Sequence, residues 1–297
     1  MKTALAAAVS AVALAAVASP ALAKDPSVEI RYAVARVAVV VEDRADVAVE
    51  VEQGSSRLPR IEVSRVGDEI RVNGGLRRRG GLFNGGNNGI RDCHTGPEGG
   101  RAGDGAWVEV RDIGRVNLSD APLIVIRTPR RVDVEASGAI FGSVGRGAAA
   151  VDLEHGGCGR WDVANVDGPL ALGIGGSGDI RAGTSRSLEV SIGGSGSVSA
   201  GATGALEVSI GGSGDVMVSR IDGSLEVAIG GSGDVDVRGG NSPSVDISIA
   251  GSGDVNFGGV ARDVDVSIAG GGDVTIARAT GSVSRSIVGG GEVHIGN

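Results

Sequence analysis

Ile210-Gly211-Gly212-Ser213-Gly214-Asp215-Val216 decides the fold, because versions of this stretch return along the chain. Aligned on the residue that opens each version, the copies begin at Val134, His155, Ile174, Ile192, Ile210, Ile229, Ile249, Ile268 and Ile287. Their separations are 21, 19, 18, 18, 19, 20, 19 and 19 residues. Self-similarity at such a period signals a solenoid, in which each repeat stacks on its neighbours.

A single copy reads as one coil. Leu206, Val208 and Ile210 share one face of a strand, and Glu207 and Ser209 share the other, as a two-residue period requires. Gly211 to Gly214 turn the chain, and Asp215 leads into a second strand with Val216 and Val218 inward. A third short strand before Gly223 is compatible with the remaining residues. The same slots repeat. Four before the opener stand Val151, Leu170, Leu188, Leu206, Leu225, Val245, Val264 and Val283. Six after it stand Ile140, Trp161, Ile180, Val198, Val216, Val235, Val255, Val274 and Val293. Each coil buries about five apolar side chains at roughly 1.5–3 kcal/mol apiece. Ordering its backbone costs more than that, so a coil is stable only through its neighbours. The expected fold is all-β: a single-stranded parallel β-helix with coils of 18–21 residues, preceded by an N-terminal β segment.

Glycine stands four after every opener, from Gly138, Gly159 and Gly178 to Gly291. A corner that needs positive φ or close backbone approach explains this without chemistry. Two acidic rows accompany the repeats. Glu189, Glu207, Glu226, Asp246 and Asp265 point outward from the first strand. Asp179, Asp215, Asp234, Asp254, Asp273 and Glu292 follow the corner, where an Asx-type cap on free amides of the glycine turn is the simplest role. Calcium between rungs is the rival, although calcium-binding nonapeptides recur every nine residues. The serine row (Ser137, Ser177, Ser195, Ser213, Ser232, Ser252) has no nucleophile-elbow context. No reaction and no cofactor can be read from these patterns.

The opening residues read as an export signal. Lys2 precedes an apolar run from Ala4 to Ala18, and Ala21-Leu22-Ala23 fits a cleavage site, so residues 1–23 are expected to be removed. No later run is long enough to span a membrane as a helix. Residues 24–131 form an N-terminal β region, with alternation from Val28 to Val34 and from Val47 to Val51, and a hairpin about Gly67-Asp68. This region reads either as the first irregular coils or as a small sheet over the solenoid's N-terminal end. Residues 73–106 break the pattern: glycine-rich, with Arg77-Arg78-Arg79, they read as a solvated loop or as a binding loop for phosphate or an acidic surface. Strand character resumes at Trp107–Val110 and Leu123–Ile126, and the repeats fill 132–297.

The chain has two cysteines, and an exported protein with Cys93 and Cys158 alone suggests a disulfide pinning the loop to an early coil. A zinc site from Cys93, His94, His155 and Cys158 is the competing arrangement, with an awkward adjacent Cys-His spacing. A formal charge of −8 argues against general nucleic-acid binding. Six aromatic residues suit a narrow aliphatic interior and leave little for stacking on sugars. At the last coil Arg285 takes a slot that is apolar in the other copies, where a charge discourages end-to-end stacking; a one-residue slip of the strand is the alternative.

The repeated Ser-Ile-(Gly/Ala)-Gly-Ser-Gly-Asp-Val at 209–216 and 248–255 resembles the bacterial head-GIN-domain family, also described as putative auto-transporter adhesin. The resemblance covers about residues 28–295 and is strongest from Val132 onward. It implies a parallel β-helix and an adhesive role, and brings no catalytic residues. The reading is therefore an exported, non-catalytic solenoid that binds a cell-surface or envelope component: a glycan, lipopolysaccharide or a protein. The candidate surface comprises Arg77, Arg78, Arg79, Glu189, Glu207, Glu226, Asp246 and Asp265. A polysaccharide-acting enzyme on a pectin-lyase-like β-helix and a purely structural envelope protein are the alternatives.

Overall fold

The computed structural model describes residues 26–76 and 89–296. The signal segment and Arg77–Arg79 lie outside the described residues. The described residues contain no helix, and the chain winds as a parallel β-helix of about nine turns, roughly 19 residues apart.

The N-terminal end is built discontinuously. Strand β1 (Ser27–Val41) pairs in parallel with β4 (Glu69–Asn73) through its first half and with β8 (Leu123–Thr128) through its second. Two antiparallel strands finish this end: β2 (Ala48–Glu52) on β8, and β3 (Glu62–Val66) on β4. The expected hairpin is the β3–β4 pair, with Gly67 at φ 63° in its turn. Strand β1 also pairs in parallel with Val134–Val144 of the first repeat, while the two antiparallel strands extend the sheet at β8 and β4.

Strands β5 (Ile90–His94), β6 (Trp107–Val110) and β7 (Gly114–Asn117) form a separate three-stranded antiparallel sheet. Within the 73–106 stretch read as a loop, Ile90–His94 is thus a strand. Val108, Val110, Val116 and Leu118 make a second core against Val34, Ala139 and Phe141 on the outer faces of β1 and β9 (Arg131–Val144). That cover explains why Gly138 to Gly142 are buried without the usual in-out alternation.

From β9 onward the coils stack in register. Ala136, His155, Ile174, Ile192 and Ile210 lie one above another, as do Ile229, Ile249, Ile268 and Ile287. The first opener is therefore Ala136, and Val134 stacks on Leu153 instead. The spacing to His155 becomes 19, and Gly138 leaves the corner row, whose place in that coil is taken by Ile140 opposite Gly159. The same shift puts Gly142 under Trp161. A Cβ on Gly142 would overlap the indole, so the largest side chain of the core sits on the smallest residue.

Close approach, more than backbone twist, dictates the corner glycines. Within that row only Gly159 has positive φ, at 122°. A Cβ on Gly214 would instead strike the Gly196 carbonyl oxygen and lie 2.6 Å from Ile192 Cγ2. The third side of the coils also pairs, with Thr203 opposite Ile221 and Asn241 opposite Val260. Its buried hydroxyls are satisfied locally: Ser185 Oγ donates to Thr203 Oγ1 at 3.0 Å, and Ser242 Oγ donates to the Ser244 carbonyl at 2.7 Å.

Candidate functional site

Alternation places every second residue of the first strands in solvent. Glu189, Glu207, Glu226, Asp246 and Asp265 are all exposed and directly opposite one another in successive coils. Neighbouring carboxylates are thus about 4.8 Å apart at the backbone, a separation at which repulsion in water is about 1 kcal/mol. Beside the N-terminal part of this row runs a groove of about 390 Å³. Small side chains such as Ala150, Ser187, Ala205 and Ser224 line one flank, and Asp152, Glu189, Glu207 and Glu226 line the other. The groove follows the stacking direction, which makes it a track and not a closed pocket.

The corner acids are engaged differently from expectation. Asp215 Oδ1 accepts the amide of Asp234 in the next coil at 3.1 Å, and Asp234 accepts that of Asp254 at 2.9 Å. Asp254 and Asp273 accept from Asp273 and Glu292, each at 2.8 Å. The cap therefore runs between coils and not within one glycine turn. The tight corner tilts these amides away from carbonyl partners, and a short carboxylate one rung below reaches them. Ser197 keeps the ladder going at its start by donating its hydroxyl to Asp179 at 2.8 Å. On the third side, hydrogen bonds from the Ser282 hydroxyl and then Arg262 hold Asp263 down to a pKa of about 2. Among the described residues no group of His, Cys, Asp or Glu is arranged to hold a metal ion.

Cys93 and Cys158 are joined in a disulfide with Cα atoms 6.4 Å apart. The four residues of the zinc alternative are thereby separated in role, since His155 points into the core and is fully buried. Burial pushes the His155 pKa down from 6.5 to about 4, and the Cys158 and Ala136 backbone and the Asp179 charge only partly offset it. Neither ring nitrogen has a partner in good hydrogen-bond geometry. The imidazole occupies the opener slot as a neutral, nearly apolar ring lying against Gly178. His94 instead stacks on Trp107 with ring centroids 5.5 Å apart, and Arg115 sits 4.1 Å over the same indole. Trp107 is thus already engaged within the small sheet.

The segment after the disulfide is tied down by residues that no local pattern marks. Arg160, only 4% exposed, donates to the Pro97 carbonyl at 3.2 Å, and Arg181 donates to the Gly100 carbonyl at 3.4 Å. The Ala102 amide donates to Asp162 at 2.8 Å.

A family model described as putative auto-transporter adhesin, head GIN domain, matches residues 33–260 and 199–297. This chain belongs to that family. Comparison with curated proteins finds no match. The head GIN domain is thus a β-helix with a capped N-terminal end, an acidic strand face and a small sheet clamped to its flank. No helix among the described residues is long and apolar enough to cross a membrane.

Proposed function

We propose that this head GIN domain is an exported, non-catalytic binding module. Its partner is a cell-surface or envelope component: a glycan, lipopolysaccharide or a protein. The observation that carries the reading is the in-register row of exposed acids, Glu189 to Asp265, beside a groove that crosses several coils. Such a surface suits an elongated partner that repeats its own groups. The description of the family as an adhesin supports the same reading, and the apolar run before Ala23 supports export. Arg77, Arg78 and Arg79 are a second candidate contact, as three consecutive cationic residues.

The enzyme alternative needs a carboxyl group raised in pKa beside an ionised partner. Asp222 and Asp263 are shifted downward, Asp222 chiefly by the Arg220 side chain, which is the pattern of structural ion pairs. The test is a screen of the mature protein against whole cells, lipopolysaccharide and glycans. It compares wild type with a variant neutralised at Glu189, Glu207, Glu226, Asp246 and Asp265, and with Arg77, Arg78 and Arg79 each changed to Gln. Binding weakened by either set supports the module. No binding by the wild type to any of these overturns it.

A further inference from the structure

A cleft of about 1190 Å³ opens between the clamped 101–106 segment and the outer faces of β1 and β9. Three arginines, Arg36, Arg101 and Arg146, line it, and none has an ion-pair partner among the described residues. Arg36 stands on β1, where Leu123 and Phe141 flank it in the neighbouring strands. It donates through Nη2 to the Ala121 carbonyl at 3.2 Å, while its buried Nε has no acceptor. Arg101 and Arg146 are exposed. The two acids of the cleft already accept main-chain amides: Asp104 from Arg101 at 3.2 Å and Asp162 from Ala102 at 2.8 Å. A chain with formal charge −8 thus carries a pocket whose lining is net cationic.

We infer that this cleft binds an acidic oligosaccharide, one bearing carboxylate or phosphate groups. This deepens the binding-module reading and rests on it. Guanidinium forks match the planar or tetrahedral oxyanion with paired N–H donors. Between them, the side chains of Asn117, Ser119 and Ser143 are exposed along the cleft and fit sugar hydroxyls. Gly103 and Gly105 leave main-chain surface open to close approach. The volume exceeds the usual range for a small-molecule pocket, as an oligomer requires. The walls are also held before any ligand arrives. The Cys93–Cys158 bond, the hydrogen bond from Arg160 to Pro97 and that from Arg181 to Gly100 fix the 95–106 segment on the coils. Binding therefore costs little ordering of the loop.

The experiment is titration calorimetry of the mature chain with tetragalacturonate, a phosphorylated mannan and neutral maltotetraose, at low and high salt. Wild type is expected to bind at least one acidic ligand, with affinity falling as salt rises, and not maltotetraose. The variant R101Q/R146Q, altered only at exposed positions, is expected to bind about tenfold or more weakly with an unchanged melting temperature. R238Q/R278Q, which removes two exposed charges far from the cleft, is expected to bind like wild type. Binding of neither acidic ligand, or equal binding by R101Q/R146Q, overturns the inference. If whole-cell binding persists in that case, the cleft assignment alone has failed. If the wild type binds nothing at all, the module reading fails with it.

Discussion

Acidification from neutral pH should destabilise this protein through the buried His155. His155 is uncharged in the core, with its pKa lowered from 6.5 to about 4. Between those values the unfolded chain binds a proton that the folded chain refuses, so stability falls as pH falls. Each pKa unit corresponds to about 1.4 kcal/mol. The full effect is therefore about 3 kcal/mol, of which about 2 kcal/mol is lost between pH 7.5 and pH 5. Asp263, with a pKa of about 2, works on the other side of this window. Its contribution is present above the ordinary carboxylate pKa and is lost only as pH falls toward 2, so it is silent at pH 5. The other two histidines, His94 and His294, are exposed. Urea denaturation followed by fluorescence of the buried Trp161 at pH 7.5 and pH 5 measures the loss. His155→Ile restores the side chain found at Ile174 in the next coil and should flatten the dependence. An equal drop in wild type and variant would refute the account.

Other substitutions probe the packing and the ladder. Gly142→Val should destabilise by about 1–3 kcal/mol through overlap with Trp161, and adding Trp161→Val should recover part of that loss in the same urea assay. Asp234→Ala removes the acceptor of the Asp254 amide and should cost about 1 kcal/mol, whereas Asp234→Asn, which keeps an oxygen there, should cost less. Melting temperatures should be the same with calcium and with EDTA; a rise with calcium would assign the row a metal instead. Reducing the disulfide, which spans a separation of 65 residues, should lower stability by up to about 4 kcal/mol. It should also make the 95–106 segment the first site of proteolysis, read by mass spectrometry.

The solenoid was legible because its core is written in alternation. Leu206, Val208 and Ile210 specify a face with no knowledge of any distant residue, and their counterparts in the next coils specify the register. The first coil was misaligned by two residues because Gly138 imitates the corner glycine, while the true stacking is set by Ala136 beneath His155. A small residue in an apolar row is easily overlooked. The β5–β7 sheet was only half visible, since Ile90–His94 has no clean alternation and is held by β6 and by the disulfide. The corner acids were recognised as caps, but their partner lies one coil away and depends on how the coils stack. The arginine cleft had no linear signature at all. Arg36, Arg101 and Arg146 are separated by long stretches of chain and meet only because the clamped segment folds back over β1 and β9.

The ladder of corner acids gives the stack a built-in polarity. From Asp215 to Asp273 each carboxylate reaches the amide of the coil that follows it in the chain. A coil inserted or deleted whole would therefore find a matching acceptor below and a matching donor above. The acidic face would simply grow or shorten by one strand spacing, about 4.8 Å. In this architecture length is a quantity that duplication can adjust in fixed steps, like graduations on a gauge. The reach of the binding face can then change while the fold of each coil stays the same.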